Sequence, residues 1–165
     1  MRHVLFCAAA LFSISLLAGT RDLRAEEEKV PLDKLPKVVV EAVKKKFPGA
    51  ELISATSEKE GKELKYEVTI KDKGKKIDVT VEEDGDIEGF EREINVKDLP
   101  KAVLKTLEEK YPKMTLKSAE AVYEIEDSKE ELEYYEVLLV GADKKEIEVK
   151  IEADGTFKEE EKSDE

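Results

Sequence analysis

Acidic side chains are the residues of this chain whose type and spacing could do chemistry. The run Glu82–Asp86, EEDGD, offers the hard oxygen ligands that calcium prefers. Its spacing departs from the EF-hand pattern, which alternates ligands before the glycine and needs a glutamate well after it. The later run Ala153–Thr156, ADGT, keeps the Asp-Gly pair and little of the charge. Because Asp-Gly is a strong hairpin signal, the sequence favours a turn at both places over a calcium loop.

Residues 1–25 have the layout of a secretory signal peptide. A basic N-terminus precedes an apolar run, Val4 to Ala18, and small residues follow it. The run is short for a membrane-spanning helix. Cleavage after Gly19 or after Ala25 would release a mature protein into the periplasm or the medium, with no membrane span left. The alternative is that the segment stays as an uncleaved anchor.

Removal of this segment leaves few residue types that catalyse reactions. His3 and Cys7 are the only histidine and cysteine of the chain, so nucleophilic catalysis and zinc sites built on them are excluded from the mature protein. With 41 acidic residues, close carboxylate pairs must occur by accident. Losing three basic residues and one acidic residue changes the net charge from −12 to −14, which repels nucleic acid. We therefore predict a protein that is not an enzyme, with no catalytic, cofactor-binding or metal-binding residues and no nucleic-acid partner.

A repeated segment organises the remainder of the chain. Leu99–Tyr111, LPKAVLKTLEEKY, repeats Leu35–Phe47, LPKVVVEAVKKKF, and a proline follows each copy. Further along, Tyr66–Val68 matches Tyr135–Val137, both of which read YEV. The difference in residue number between matched positions is larger further along the chain. The second copy therefore contains extra residues, which we place around Glu126–Glu133. Such internal periodicity indicates two copies of one supersecondary unit.

Each copy has the pattern of a helix followed by strands. Apolar residues recur at helical spacing after each Leu-Pro pair, and an alternation of apolar and polar residues follows, which is typical of half-buried strands. The predicted fold class is α+β, with each unit formed by one helix packed on a four-stranded antiparallel meander. The units span residues 28–93 and 94–160 and are expected to be docked together. The charged residues from Lys158 onward, including an acidic tail at 161–165, are expected to fray in solvent.

These features together resemble the PepSY-like family. They are the signal peptide, a Leu-Pro-x-x-Val helix that ends at Phe-Pro or Tyr-Pro, a Tyr-Glu-Val strand, and an Ile-x-Val-x-Val/Ile strand followed by Asp-Gly. The resemblance covers residues 30–157. It implies the fold of the β-lactamase-inhibitor protein, in which tandem helix-plus-meander units pair. It also implies an exported, non-catalytic module, since inhibition or regulation of peptidases is proposed for PepSY relatives.

The two copies differ on one face of a strand. In the second copy that face carries Tyr134, Glu136, Leu138 and Val140, whereas the first copy has Lys65, Glu67, Thr69 and Lys71 at the same places. An apolar strand face that is left open is a candidate contact site. The alternative is that the other copy, or the extra segment Glu126–Glu133, covers this face.

Two hypotheses for function follow from these observations. The first is a protein-binding module in the cell envelope, an inhibitor or regulator of a hydrolase or peptidase, that uses Tyr134, Glu136, Leu138 and Val140 to contact its partner. The second is an acidic envelope protein that binds calcium or another cation through its surplus of carboxylates.

Overall fold

The computed structural model describes residues 27–61 and 63–162. The predicted signal peptide, residues 1–25, lies outside the described residues. The described chain contains two helices of ten residues, α1 (Lys37–Lys46) and α2 (Lys101–Lys110). Its strands are β1 (Glu28–Lys29), β2 (Glu51–Glu60), β3 (Glu63–Asp72), β4 (Lys75–Glu82), β5 (Ile87–Ile94), β6 (Thr115–Glu126), β7 (Lys129–Val140), β8 (Glu146–Ile151) and β9 (Phe157–Lys162).

The nine strands form one antiparallel sheet in which each strand pairs with the next strand of the chain. Helix α1 precedes β2 to β5, and α2 precedes β6 to β9. The two halves join where β5 pairs with β6, with Phe90 opposite Tyr123 and Arg92 opposite Ala121. The fold is therefore α+β, as the sequence predicts, and the two repeated segments share a single sheet.

The repeated Leu-Pro segments begin the two helices in the same way. Pro36 and Pro100 have non-helical backbone angles and directly precede the first helical residue. Proline suits such a place because the first turn of a helix leaves its N–H groups without partners. At the other end, Phe47 and Tyr111 each donate the backbone N–H to a carbonyl oxygen four residues earlier, both at 2.8 Å. The repeat in sequence is therefore a repeat in local structure.

Both helices pack on the same face of the sheet, which we call the helix face. Val103 and Leu107 of α2 are buried against strand residues of the second half. Tyr66 and Tyr135, which correspond in the repeat, both lie on this face. The buried strand residues of the helix face are Ala55, Tyr66, Val68, Ile70, Ile77, Val79, Val81, Phe90, Ala119, Val137, Leu139, Ile147, Val149 and Ile151. The predicted duplication of one core pattern is confirmed.

The extra residues of the second copy lengthen one hairpin. Strands β6 and β7 have 12 residues each, whereas β2 and β3 have 10. The tip of the longer hairpin reaches the first half of the molecule, since Ile125 packs against its core and Glu130 lies 2.6 Å from the Nζ atom of Lys46. The segment Glu126–Glu133 therefore contacts α1 on the helix side, which does not match the alternative that it covers the other face of β7.

The sequence predicts that the charged C-terminal segment frays, whereas the structure places it in a strand as far as Lys162. Strand β9 continues to Lys162 and pairs with β8. The hydroxyl of Tyr111, at the end of α2, donates a hydrogen bond of 2.5 Å to Glu160, and Lys150 pairs with Glu161 at 3.1 Å. The expectation of fraying from Lys158 is wrong as far as Lys162, because these partners and the strand pairing hold the segment against the sheet.

Candidate functional site

The candidate functional site is the second face of the sheet. Side chains alternate between the two faces of a strand, and no helix of residues 27–61 and 63–162 packs on this face, which we call the open face. Acidic residues occupy its middle on six neighbouring strands, namely Glu67, Asp78, Glu91, Glu120, Glu136 and Glu148. The strand register sets Asp78 opposite Glu91 and Glu120 opposite Glu136. The sheet thus places a ladder of carboxylates on one surface.

Three of these carboxylates converge where the two halves of the sheet meet. Glu91 on β5, Glu120 on β6 and Glu136 on β7 each offer one carboxylate oxygen, and the three oxygens lie within 4.8 Å of one another. We call this group the carboxylate triad. Glu136 is 6% exposed, and Glu91 and Glu120 are half-buried. The Oε2 atom of Glu136 is buried and has no hydrogen-bond partner in the described structure.

The triad is a place where negative charge is costly. Burial, followed by repulsion from Glu120 and other carboxylates, raises the pKa of Glu91 to about 8. Burial and the charge of Glu91 likewise hold the pKa of Glu136 well above the ordinary value of a glutamate. The pKa of Glu120 is also raised, chiefly by burial. Buried like charges favour the neutral form, so the triad binds a proton or another positive charge more readily than an exposed carboxylate does.

Two lysines flank the triad, and each pairs with another carboxylate. The Nζ atom of Lys76 lies 2.6 Å from Asp78, which also accepts a hydrogen bond of 2.7 Å from the hydroxyl of Thr69. The Nζ atom of Lys150 lies 3.1 Å from Glu161. Both ammonium groups are therefore engaged beside the triad.

The structure brings the four predicted partner-binding residues together on the open face. Tyr134 and Glu136 are buried there, and Leu138 and Val140 are half-buried. The ring of Tyr134 lies beneath two lysine side chains, with the Nζ atom of Lys158 at 5.0 Å from the ring centroid. Its cross-strand neighbour Val122 is fully buried on the same face. Contact of these residues with a partner stays a prediction.

One protein family matches two successive segments of the chain. The family described as "Putative beta-lactamase-inhibitor-like, PepSY-like" matches residues 22–89 and again residues 86–159. The chain belongs to the PepSY-like family. Its two matches correspond to the two copies predicted from the repeat. Among curated proteins, the comparison finds no match.

Solved structures share the fold of this PepSY-like chain. A protein of the DUF2874 family from Bacteroides uniformis superimposes with a TM-score of 0.62 at 13% identity, covering 77% of this chain and 88% of that one. A "BLIP-like" protein from Bacteroides fragilis gives a TM-score of 0.56 at 17% identity, covering 78% and 86%. A protein from Bacteroides eggerthii, named among "putative periplasmic proteins", gives 0.62 at 11% identity, covering 77% and 88%. In the described part of the PepSY-like chain, neither helix is long and apolar enough to cross a membrane.

Sequence reasoning missed the carboxylate triad. The sequence pattern singles out Glu136 because it alternates with apolar residues, whereas Glu91 and Glu120 do not stand out among the 41 acidic residues of the chain. A signal was present, because the alternation in each strand assigns all three residues to the face opposite the apolar core. What the alternation could not supply was the register between strands that brings them to one point.

The two Asp-Gly runs of the PepSY-like units form turns, as the sequence favours. Gly85 and Gly155 have φ angles of +96° and +92°, which glycine adopts without steric cost. The backbone N–H of Asp86 donates to the side chain of Asp84 at 3.1 Å, and that of Thr156 donates to Asp154 at 2.8 Å. The carboxylates of both turns thus cap their own backbone.

A polar groove of about 560 Å³ lies at a different place, between the end of α1, the β4–β5 turn and the tip of the β6–β7 hairpin. Its walls include Lys45 and Lys46 together with Glu82, Asp86 and Glu88. Charges of both signs line it, and the described structure shows no orphaned polar atom there. The open face is the better candidate because it concentrates charge of one sign beside apolar side chains.

Proposed function

We propose that this PepSY-like protein is an exported, non-catalytic module that binds a protein partner in the cell envelope through the open face of its sheet. By occupying that partner, it inhibits or regulates an envelope hydrolase or peptidase. The proposal assigns the contact to Tyr134, Glu136, Leu138 and Val140 of β7.

Three kinds of observation support an exported binding module. Residues 1–25 have the layout of a signal peptide, and a structure with the same fold belongs to a protein named as periplasmic. Another structure with the same fold is named "BLIP-like". The mature chain also lacks the histidine and cysteine on which most nucleophilic and zinc catalysis depends.

The observation that carries the proposal is the composition of the open face around β7. Leu138 and Val140 are half-buried on a face that no described helix covers, and the buried ring of Tyr134 lies two pleats away on the same strand. Protein interfaces commonly combine an aromatic and aliphatic centre with a polar rim. Around β7 the open face combines these apolar side chains with the charged residues of β8 and β9 that border them.

The charge of the open face indicates the chemistry of the partner. Carboxylates dominate its middle, and the chain as a whole carries a formal charge of −12. Complementary charge accelerates association and excludes partners of like charge. The partner surface is therefore expected to be basic, with arginine or lysine side chains that reach the carboxylate ladder.

A pull-down with the mature protein from the native envelope tests the proposal. The variant Leu138→Asp/Val140→Asp places two charges on the open face and should lose the captured partner. A matched control is Leu132→Asp. Leu132 is an exposed leucine of the same strand and lies nearer to the tip of the β6–β7 hairpin. Circular dichroism establishes that each variant is folded.

The outcome separates a binding surface from a structural one. Loss of the partner from a folded double variant, with retention by the Leu132→Asp protein, supports the open face as the interface. Retention of the partner by the folded double variant would contradict the proposal. If the double variant unfolds, Leu138→Ser alone gives the same comparison with less disturbance of the sheet.

A further inference from the structure

The carboxylate triad lies at the centre of the open face, and its geometry suits a bound ion. We propose that Glu91, Glu120 and Glu136 form a binding site for a divalent cation, and that calcium is the ion it takes. This site goes beyond the proposed partner binding, because it can be occupied or empty whether or not a protein partner is present.

The spacing of the oxygen atoms fits a single calcium ion. Calcium binds oxygen ligands at about 2.3–2.6 Å, so two oxygens on opposite sides of one ion lie at most about 5 Å apart. The three triad oxygens all lie within 4.8 Å of one another. One ion can therefore contact all three carboxylates without a change in the backbone of the sheet.

A second observation points to a ligand, and it comes from hydrogen bonding. Glu136 is 6% exposed, and its Oε2 atom has no hydrogen-bond partner in the described structure. An unpaired buried polar atom is costly, and a charged one is more so. The same side chain contributes one oxygen to the triad, so a cation bound there would neutralise this buried carboxylate.

The two lysines beside the triad form their ion pairs with other carboxylates. Lys150 lies on the neighbouring strand, opposite Glu136, and its Nζ atom pairs with Glu161 and Glu159 at 3.1 and 3.7 Å. Lys76 pairs with Asp78 at 2.6 Å. The two lysines reduce the negative potential around the site, so we expect an affinity in the range of extracellular calcium modules, about 10⁻⁴–10⁻³ M.

The chemistry of the donors selects the ion. The triad offers carboxylate oxygens and no imidazole or thiolate, which suits calcium, magnesium or manganese rather than zinc or copper. Magnesium requires near-octahedral geometry and loses its water reluctantly, whereas calcium accepts irregular sets of six to eight oxygens. Three carboxylates on rigid adjacent strands, with solvent on one side, match the requirements of calcium better.

The repeat shows that the triad is not a general consequence of the acidic composition. Glu136 corresponds to Glu67 in the first copy, and Glu120 corresponds to Thr56. Thr56 lies opposite Glu67, as Glu120 lies opposite Glu136. The first copy therefore lacks one of the carboxylates, and the triad is completed only by Glu91 where the two copies meet.

Calorimetric titration of the chelator-treated mature protein with calcium chloride tests the site. We expect one calcium ion per chain and a rise in melting temperature at millimolar calcium. The variant Glu120→Gln/Glu136→Gln keeps the shape of both side chains and should weaken calcium binding at least tenfold. The control Glu130→Gln/Glu131→Gln removes the same charge from the hairpin tip and should change the affinity less than twofold.

Three results would overturn the proposal. They are the absence of heat and of a melting shift at millimolar calcium, an undiminished affinity in the folded triad variant, and an equal loss in the control variant, which would indicate diffuse binding to an acidic surface. A response to magnesium as large as that to calcium would overturn the choice of ion. If the double variant does not fold, the single variant Glu120→Gln replaces it. No protein partner enters the titration, so its failure leaves the proposed partner binding untouched.

Discussion

Phe90 and Tyr123 stack across the junction of the two repeats, with ring centroids 4.8 Å apart and planes inclined by 17°. Phe90 lies on β5, the last strand of the first unit, and Tyr123 lies on β6, the first strand of the second. The ring of Phe47 meets Phe90 edge-on at 5.4 Å, and the guanidinium of Arg92 lies 5.1 Å from its centroid. One fully buried aromatic ring thus links α1, the first unit and the second.

This stacking predicts that the two units unfold together. Phe90→Ala should lower the free energy of unfolding by about 3–5 kcal/mol, the usual cost of removing a buried phenylalanine. Phe157→Ala is the control, because Phe157 is a half-buried aromatic residue of the second unit and lies away from the junction. Urea unfolding followed by circular dichroism measures both losses.

Hydrogen exchange then shows how far the effect spreads. If the sheet is one cooperative unit, amides of both β3 and β8 lose protection in the Phe90→Ala protein. A loss confined to β3 would mean that the units unfold separately despite their shared sheet.

The hydrogen bond from Tyr111 to Glu160 gives a second prediction, because it ties β9 to the end of α2. Partial burial of the hydroxyl, followed by its hydrogen bond of 2.5 Å to Glu160, raises the pKa of Tyr111 above that of a free tyrosine. We expect a coupling free energy of about 0.5–1.5 kcal/mol between the two side chains, since Glu160 is exposed and solvent partly screens the pair.

A double-mutant cycle with Tyr111→Phe and Glu160→Gln measures this coupling. The neighbouring Glu159→Gln variant controls for the loss of a carboxylate on β9. Additive effects of Tyr111→Phe and Glu160→Gln would show that strand pairing alone holds the C-terminal segment.

The sequence was sufficient to predict the parts of the fold that depend on local pattern. Val103 and Leu107 recur at helical spacing, and Tyr66 alternates with polar neighbours along its strand, so their burial could be inferred from the period alone. The expectation of fraying from Lys158 was wrong because the order of this segment depends on distant contacts and not on a local pattern. Its strand carries almost no apolar residues, and it is held by partners such as Tyr111 that lie far away in the chain.

The carboxylate triad could not be predicted because it depends on register. Glu91, Glu120 and Glu136 belong to three strands, and irregularities interrupt the β6–β7 pairing between Leu116 and Ser118 and between Val122 and Tyr123. A slip of one residue would move Glu120 to the helix face. The sequence shows which residues share a face, whereas only the paired sheet shows which of them meet.

The half-buried carboxylate of Glu67 predicts a dependence of stability on pH. Burial, followed by repulsion from Asp78, raises the pKa of Glu67 from 4.5 to about 7 in the folded protein. The folded state then holds a proton that the unfolded state releases between these values, so the contribution of Glu67 to stability is fully present below about pH 4.5 and is lost as the pH rises through 7. Glu67→Gln should remove this loss and stabilise the protein at neutral pH by about 1–2 kcal/mol, after allowance for screening.

Urea unfolding of the wild type and of Glu67→Gln between pH 4 and pH 8 measures the effect. Glu51→Gln is the control, since Glu51 is an exposed carboxylate on the adjacent strand β2. A constant difference between Glu67→Gln and the wild type across this range would refute the assignment of the pH dependence to Glu67.

Gly155 lies in the β8–β9 turn directly against α2, and this close approach gives the fourth prediction. A Cβ atom at Gly155 would lie 2.9 Å from the carbonyl oxygen of Ala102 and 3.1 Å from the hydroxyl of Thr106. The carbonyl oxygen of Gly155 accepts a hydrogen bond of 2.7 Å from the Thr106 hydroxyl. Helix α2 therefore cannot move away from the turn without losing this bond. An alanine at this position would be crowded by Ala102 and Thr106 and would also be strained by the φ angle of +92°.

Gly49 supplies a matched control that separates strain from contact. Its φ angle is +88°, and a Cβ atom there would have no neighbour within 4 Å. Gly49→Ala should therefore lower the free energy of unfolding by about 1–2 kcal/mol, the cost of the backbone angle alone. Gly155→Ala should lower it by about 2–4 kcal/mol, because crowding against α2 adds to that cost. Equal losses in urea unfolding would mean that α2 yields freely to the added methyl group, and the turn would then not fix the position of the helix on the sheet.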